Sequence, residues 1–579
     1  MTVRQPPPVR RTPRNVAFTR ALWRHATVGV AAFVFGLWVT GCPKPPDGPR
    51  YEGAGADKPT YGGTFRFYVT ANVRSLDPQI AFDTLSGTGI HLMFDGLLDY
   101  TNEAKLTPVL AASMPEVLED GHTYRFRLRK GVHFHDSPVF PGGKGRELTA
   151  DDVKWTLERL LDPKTQSPGA FFFTAIDGAG DRQQGKTKDV RGIKVVDRYT
   201  VDITLAELDQ TFLNSMAMTF AYPLPHENYE AHPTDVSFHP VGTGPYVFDH
   251  WERGVRITLN KNKHYWQPGL PYIDRMVFDE NLTPDVAAMR FRNGDYDHGH
   301  HFRQPDYIFF SQSDKWRPYM FSEPDVTIWG YFMNCEMPPF DNVHIRRAIA
   351  AAIDRERWAR IYKGRYMPTG QILPPQLMGY DAKLPHAQKF DLDLAKEEMR
   401  LAGFPNGLPD PITVWTQEGE SAKAQAELLQ ADLRKIGIPV DIKPVSFATY
   451  LTESGKRGRV PMALSGWNLD FPDPADFLDV LLNSSAIHDV ASENRSFYSN
   501  PELDRILNAA RVEPDEAKRT ALYREANDIT AHDAPWVFIY NPIEFQVRQP
   551  YLRNYTVHPV YKYNYRFVWL DLPRRRLAP

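Results

Sequence analysis

The chain has almost no cysteine. Cys42 and Cys335 are the only two in 579 residues. Disulfide frameworks and multi-cysteine zinc modules are thereby excluded, and an apolar core must hold the fold. Cys335 sits among apolar neighbours and reads as a small buried residue, not a reactive thiol. An excess of one charge is also lacking. The 68 basic and 71 acidic side chains leave a net charge of −3, with both signs mixed, so there is neither a nucleic-acid footprint nor a polybasic membrane patch. Catalytic signatures are missing as well. No G-x-S-x-G elbow occurs. The stretch HENYEAH (226–232) carries Glu230 where the zinc-protease motif needs histidine. Residues 180–187 spell a P-loop, but a strand-like IKVVD follows where a phosphate-holding helix should begin, so a surface loop is expected. Asp151 and Asp152 read as charge at a helix start. His298, His300 and His301 stand close together without a second ligand pair at zinc spacing, which reads as a solvated loop. Catalytic residues, metal site and cofactor are all expected to be absent.

Long apolar runs are represented once. Residues 1–24 contain six arginines and no acid, and the apolar run 26–40 follows. That run has signal-peptide length and is short for a membrane span. It ends in Val39-Thr40-Gly41-Cys42, which resembles the bacterial lipoprotein box. The resemblance implies that Cys42 is lipidated and becomes the mature N-terminus. Residues 43–60 are Pro, Gly and charge, and read as a flexible linker.

The body is too long for one core, so two or more lobes are expected. Residues 64–70 alternate as a strand. Thr149 and Asp152 open a helix with Val153, Leu157 and Leu160 on its apolar face. From 385 to 445 helix and strand alternate, with Asp391 and Ser421 as candidate caps, which resembles parallel βαβ units. Residues 536–540 read as a strand, and the aromatic, basic tail from Pro542 reads as a returning edge strand.

The stretch 465–478, SGWNLDFPDPADFL, combines an aromatic, an acid three residues on, and a stiff Pro-Asp-Pro. Pro472 and Pro474 bias Phe471 and Asp473 toward extended backbone. Trp467 can serve as a flat apolar wall and Asp470 as a fixed negative charge. A cation with an apolar body, such as the α-ammonium end of a peptide, suits that pair. A proline-rich surface turn with an N-capping Asp is the plainer reading.

Several blocks together resemble the extracellular solute-binding proteins of dipeptide, oligopeptide and nickel ABC transporters. They are SLDPQ (75–79), KGVHFHD with LTADDVKWTLERLLDP (130–136, 148–163), GTGPYVFDHWERG (242–254), LNKNKHYWQPGLPYIDRMVF (259–278), FRNGDYD (291–297), PPFDNVHIRRAIAAAIDRE (338–356) with YKGRYMPTGQILPP (362–375), and SGWNLDFPDPADF (465–477). The resemblance implies an α/β, two-lobed periplasmic-binding-protein fold of the type II-like, large peptide-binding class, with a hinge and an interlobe cleft. Lobe I would comprise 61–325, with an extra subdomain at about 100–240, and the return 536–579; lobe II would be 326–535. It also implies that Asp470 holds a peptide ammonium beside Trp467, that 81–85, including Phe82 and Thr84, contacts the peptide backbone, and that Phe172 lines the pocket. Some relatives carry an acid where this chain has Phe82. The implied partners are a peptide, ABC permease subunits and a bacterial membrane reached through the lipid; the implied state is a monomer. A metal chelate or an oligosaccharide is the alternative ligand, and a surface hydrolase is a third reading.

Overall fold

Alternation in the first strand shows how the first lobe is built. In the computed structural model, which describes residues 57–81 and 83–572, Phe65 and Phe67 of Thr64–Tyr68 point into the core and Arg66 points out. This strand pairs in parallel with Arg275–Asp279. The sheet continues antiparallel through Arg256–Lys261 and Tyr246–Glu252. Phe65, Phe67, Phe278 and Tyr565 meet on its buried face. The expected signal peptide, Cys42, most of the expected linker and Phe82 lie outside the described residues.

A second four-stranded sheet is inserted in this lobe: Glu116–Val117, Thr123–Arg127, Thr200–Thr204 and Ile193–Asp197. The helix Ala150–Leu160 buries Val153, Leu157 and Leu160, as its spacing predicts. Its start is fixed by Asp152, which accepts the Thr149 backbone N–H at 2.8 Å and pairs with Arg146 at 2.6 Å. The Asp151-Asp152 pair therefore serves the helix, and Asp152 is not free for chemistry.

The other lobe rests on the larger part of an eight-stranded mixed sheet, whose remaining strands, His298–Gly299 and Met320–Pro324, belong to the first lobe. Ile412–Gln417 pairs in parallel with Val440–Val445, and the helix Glu420–Leu433 connects them as a βαβ unit. The helix begins after Gly419, not at Ser421, because Gly419 supplies a positive φ of 129° at the turn into it. Asp391 caps Leu392–Leu401 as expected. Met462–Asn468 lies between Ile412–Gln417 and Thr327–Met333.

Two chain passages join the lobes. Trp536–Arg548 pairs with Thr327–Met333 over its first half and with Met320–Pro324 over its second. The ladder changes partner at Pro542, whose carbonyl accepts the Asp325 N–H at 2.9 Å. Sequence reading ends this strand near Tyr540, because proline cannot donate to a ladder. Here the proline falls where the strand passes between sheets, and pairing resumes beyond it. The tail from Pro542 pairs as a strand as far as Arg548 and then leaves the sheet. Beyond that point Leu552–Arg553 pairs with Trp569–Leu570, an isolated bridge joins His558 and Lys562, and the aromatic residues between pack inward: Tyr555, Tyr563 and Tyr565 are buried.

Two smaller expectations change. The histidines at 298–301 are not a solvated loop. His298–Gly299 pairs with Trp536–Arg548, and His298 and His300 are buried. His298 contacts Gln546 and Tyr565 through its two nitrogens, and burial pushes it down to about 3. His300 contacts the Tyr68 carbonyl at 2.7 Å, and His301 contacts Thr70 and Tyr563. Cys335, half-buried, donates to the Met333 carbonyl, and burial pushes its thiol up to about 11.

Candidate functional site

The strand Met462–Asn468 delivers Trp467 and, just beyond its end, Asp470. Trp467 stands opposite Ile328, and the Leu469 N–H is held by the Val326 carbonyl at 3.0 Å. The site therefore grows out of the strand paired with Thr327–Met333, the first strand beyond the passage at Asp325. Gly466 permits the close approach needed here, since a Cβ on it would lie 2.6 Å from the Trp329 ring. After Asp470 the chain turns into the helix Ala475–Leu482. Asp473 accepts the Ala475 N–H and forms a buried two-point pair with Arg519, at 2.6 and 2.9 Å. Asp473 thus serves the turn into this helix, but it is buried and Pro474 stands at the cap position, unlike the N-capping aspartate of a surface turn.

Asp470 differs from its acidic neighbours. Asp473 is held by Arg519, and Asp479 by Arg511 and Asn483, both at 3.1 Å. Asp476 accepts the Asp470 backbone N–H at 2.8 Å. The Asp470 carboxylate, half-buried, makes no hydrogen bond or ion pair among the described residues. Burial, and after it the nearby Glu493, pushes its pKa up to about 7. Asp476 is raised too, by burial and then by the Asp470 charge, while the Asp470 N–H and the adjacent Trp467 indole pull it back. Glu493 is itself paired with Arg495 at 2.9 Å, and that guanidinium lies over the Tyr450 ring. The result is a net-acidic cluster flanked by the Trp467, Phe471 and Tyr450 rings. It is suited to a desolvated cation.

The opposite wall comes from the inserted subdomain. Ser167 caps Pro168–Phe173 and donates its hydroxyl proton to the Gln79 carbonyl at 2.5 Å. The Gln79 side chain reaches the Thr156 and Phe220 carbonyls and meets Arg159. Phe172 stacks with Phe220 at 6.3 Å and stands perpendicular to Phe471 at 6.0 Å. The cleft is closed at this point.

Trp467, Asp470 and Phe172 are therefore brought to one place, with Phe471 between the last two. Thr84 is not tied to them. It opens the helix Thr84–Met93, and its carbonyl accepts the Thr88 hydroxyl proton. Sequence reasoning missed Glu493 and Arg495, which belong to no motif, and Phe471 as a contact. Asp476 was legible only as one more acid in the same loop.

The sequence from 105 to 489 matches the family model described as bacterial extracellular solute-binding proteins, family 5, middle. The chain belongs to this family. Family 5 is a solute-binding family and not an enzyme family. Di/tripeptide-binding protein 1 of Pseudomonas aeruginosa is 29% identical over 472 residues, covering 79% of this chain and 84% of the relative. Heme-binding protein A of Haemophilus influenzae is also 29% identical over 472 residues, covering 78% and 82%. The periplasmic binding protein DppA of Helicobacter pylori, solved with the peptide STSA, superposes with a TM-score of 0.77 at 27% identity, covering 88% of this chain and 99% of that one. The two-lobed periplasmic-binding fold is shared over nearly the whole described chain. No helix among the described residues is long and apolar enough to cross a membrane.

An ammonium held by Asp470 would give the site a pH signature. A bound ammonium favours the charged form of Asp470, so the raised pKa of the free protein falls on binding. Below about pH 7 the carboxyl must lose a proton for the ligand to bind, and affinity falls as pH drops. Above the α-amino range, about 7.7–8.0, the ligand loses its charge and affinity falls again. Calorimetry on a free-amine peptide from pH 5.5 to 9 is expected to give a maximum between these limits. The acidic limb should fall by up to about tenfold per pH unit. A flat profile would remove Asp470 from ligand contact.

Proposed function

We propose that this chain captures peptides by their N-terminal ammonium in the closed cleft and delivers them to an ABC importer. The observation that carries this reading is the half-buried Asp470 carboxylate. It lacks a partner among the described residues and lies beside Trp467 and Phe471. Such a charge is costly to bury alone and is stabilised by a cation that enters with the ligand. The similarity to a di/tripeptide-binding protein and to a binding protein solved with a peptide supports the same ligand class. The backbone of the peptide would be held through the segment 81–85, with Phe82 and Thr84, and Phe172 would close over its side chains. Closure favours the liganded state by differential affinity, and the closed form is the one a permease receives. The lobes divide as 61–325 with 536–579, carrying the extra subdomain at about 100–240, against 326–535. The chain works as a monomer, lipidated at Cys42 and held at a bacterial membrane by that lipid.

A metal-chelate ligand held by His298, His300 and His301 is disfavoured, because all three rings are engaged with their own lobe. The decisive measurement is calorimetric titration of the body from residue 43 with di-, tri- and pentapeptides and their N-acetylated forms. Free-amine peptides are expected to bind and acetylated ones to fail. Equal binding of both would keep a peptide receptor but remove the ammonium contact. No binding of either would overturn the peptide reading.

A further inference from the structure

The stretch that fails as a zinc-protease motif leads into a different arrangement of metal-ligating groups. The helix His226–Ala231 ends at His232, and a single turn Val236–Phe238 separates Asp235 from His239. The three side chains converge. His232 Nδ1 lies 3.6 Å from Asp235 Oδ1, and His239 Nε2 lies 3.4 Å from Asp235 Oδ2. The two imidazole rings stack at 3.8 Å, with their planes 13° apart. One ligand atom from each residue lies within 4.8 Å of the others. Tetrahedral ligands at about 2.0–2.1 Å from a zinc ion stand about 3.4 Å from one another. Each imidazole nitrogen stands near that distance from one oxygen of the Asp235 carboxylate, His232 from Oδ1 and His239 from Oδ2, so a small side-chain rotation would bring one oxygen to both.

The backbone holds the arrangement before any ion arrives. The Asn228 side-chain amide donates to the His239 carbonyl at 2.8 Å, and the His232 N–H donates to the Asn228 carbonyl at 3.0 Å. The N–H groups of Phe238 and His239 bond back to Asp235 and Val236. Phe238 packs on Trp251 at 4.9 Å, with Arg253 over its other neighbourhood. His232 is half-buried, while Asp235 and His239 are exposed, so the remaining coordination positions open to water.

We propose that His232, Asp235 and His239 form a binding site for a late first-row divalent cation, such as Zn²⁺ or Ni²⁺. Two neutral imidazoles and one carboxylate are the donor set these ions take, whereas Mg²⁺ prefers oxygen and water. The site lies in the first lobe and shares no residue with the Asp470 cluster. Its loop does reach toward the cleft by a short route. Ser237 accepts the Leu76 N–H at 2.7 Å and meets Ser75 at 3.1 Å. Tyr229, on the preceding helix, donates to Asp77 at 3.1 Å. An ion bridging the two ends of the 232–239 loop therefore braces the contact that fixes residues 75–77, just before the segment 81–85.

The test uses the full chain in detergent, without a polyhistidine tag. Calorimetric titration with ZnCl₂ and NiCl₂ is expected to show one ion per chain, with MgCl₂ giving no comparable heat. His232→Gln and His239→Gln should each weaken binding by about tenfold or more, the scale of losing a group that supports a metal centre. Both variants are expected to keep the apo denaturation midpoint of the parent, so misfolding does not imitate the loss. X-ray absorption on the Zn²⁺ form should report two imidazole nitrogens with oxygen completing the shell. Absence of a stoichiometric site, or titrations unchanged in the double variant His232→Gln/His239→Gln, overturns the proposal. Neither result bears on peptide capture, which is read separately with free-amine peptides.

Discussion

Asp470→Asn is expected to weaken free-amine peptide binding by about 2–4 kcal/mol, roughly thirty- to a thousandfold, the range for removing one partner of a buried charge pair. The substitution is isosteric, and the loop does not depend on the charge. It is the Asp470 backbone N–H that donates to Asp476, and the carboxylate makes no bond among the described residues. The loss therefore falls on the ligand, whose ammonium would be desolvated in the closed cleft without a counter-ion. A neutral sugar would bind the variant and the parent alike.

Stability supplies an independent readout for the same variant. Burial holds the folded Asp470 pKa above its unfolded value. The protonated form is thus the favoured one, and stability present at low pH is lost as pH rises through about 7. Removing the charge should make the ligand-free variant more stable than the parent at pH 8 and equal to it at pH 4. Asp473→Asn should behave in the opposite way, since Asp473 is committed to Arg519. It should destabilise the fold. Retention of peptide affinity by Asp470→Asn within about twofold would assign the cluster to something other than an ammonium, a difference too small for a lost buried ion pair.

The contrast between these two aspartates also marks what the sequence could tell. The stiff proline loop, the aromatic and the acid at 470 were legible, because proline chemistry and the spacing Trp467–Asp470 are local; the loop nevertheless bends through 470–474 where extended backbone was expected. Which acid would be left without a partner was not. That depends on Arg519 and Arg511, side chains brought in from helices that start at Glu516 and Pro501. The parallel unit 412–445 was legible from alternating periods. The 13-residue strand Trp536–Arg548 was not, because its proline is harmless only where the strand changes sheets. His298 and His300 were misread for a similar reason. Their burial comes from pairing with residues some 250 positions away, such as Gln546, and a polar triplet carries no trace of that. Phe172 was placed by resemblance, and its ring does face the Asp470 loop through Phe471.

The tail carries the second large expectation: Arg566→Ala should destabilise the protein by about 3–5 kcal/mol, the cost of leaving a buried ion unpaired. Arg566 is 1% exposed and lies on a segment with almost no ladder pairing of its own. Its guanidinium pairs with Asp95, reaches Asp99 at 3.4 Å and meets the Tyr265 hydroxyl at 3.1 Å. Asp95 also accepts protons from Thr243, Tyr265 and Trp266 at 3.1–3.2 Å. These donors come from two turns of the first lobe, one with Thr243 and one with Tyr265 and Trp266, so the carboxylate is the point where both are joined to the tail. Without the guanidinium, Asp95 stays buried with neutral donors only. Replacing Asp95 as well should recover part of the loss and not all of it, because three donors would then lack their acceptor. Loosening the tail should also reach the interlobe passage. Tyr561 bonds Asp99 at 2.7 Å, and Lys562 pairs with Asp325 at 2.7 Å and meets Asn468. Chemical denaturation of Arg566→Ala, the double variant and the exposed control Arg505→Ala gives the comparison. An unchanged midpoint for Arg505→Ala beside a large drop for Arg566→Ala would establish the tail as the clasp of the first lobe. Equal, small effects would mean that aromatic packing around Tyr555, Tyr563 and Tyr565 holds the tail without the ion pair.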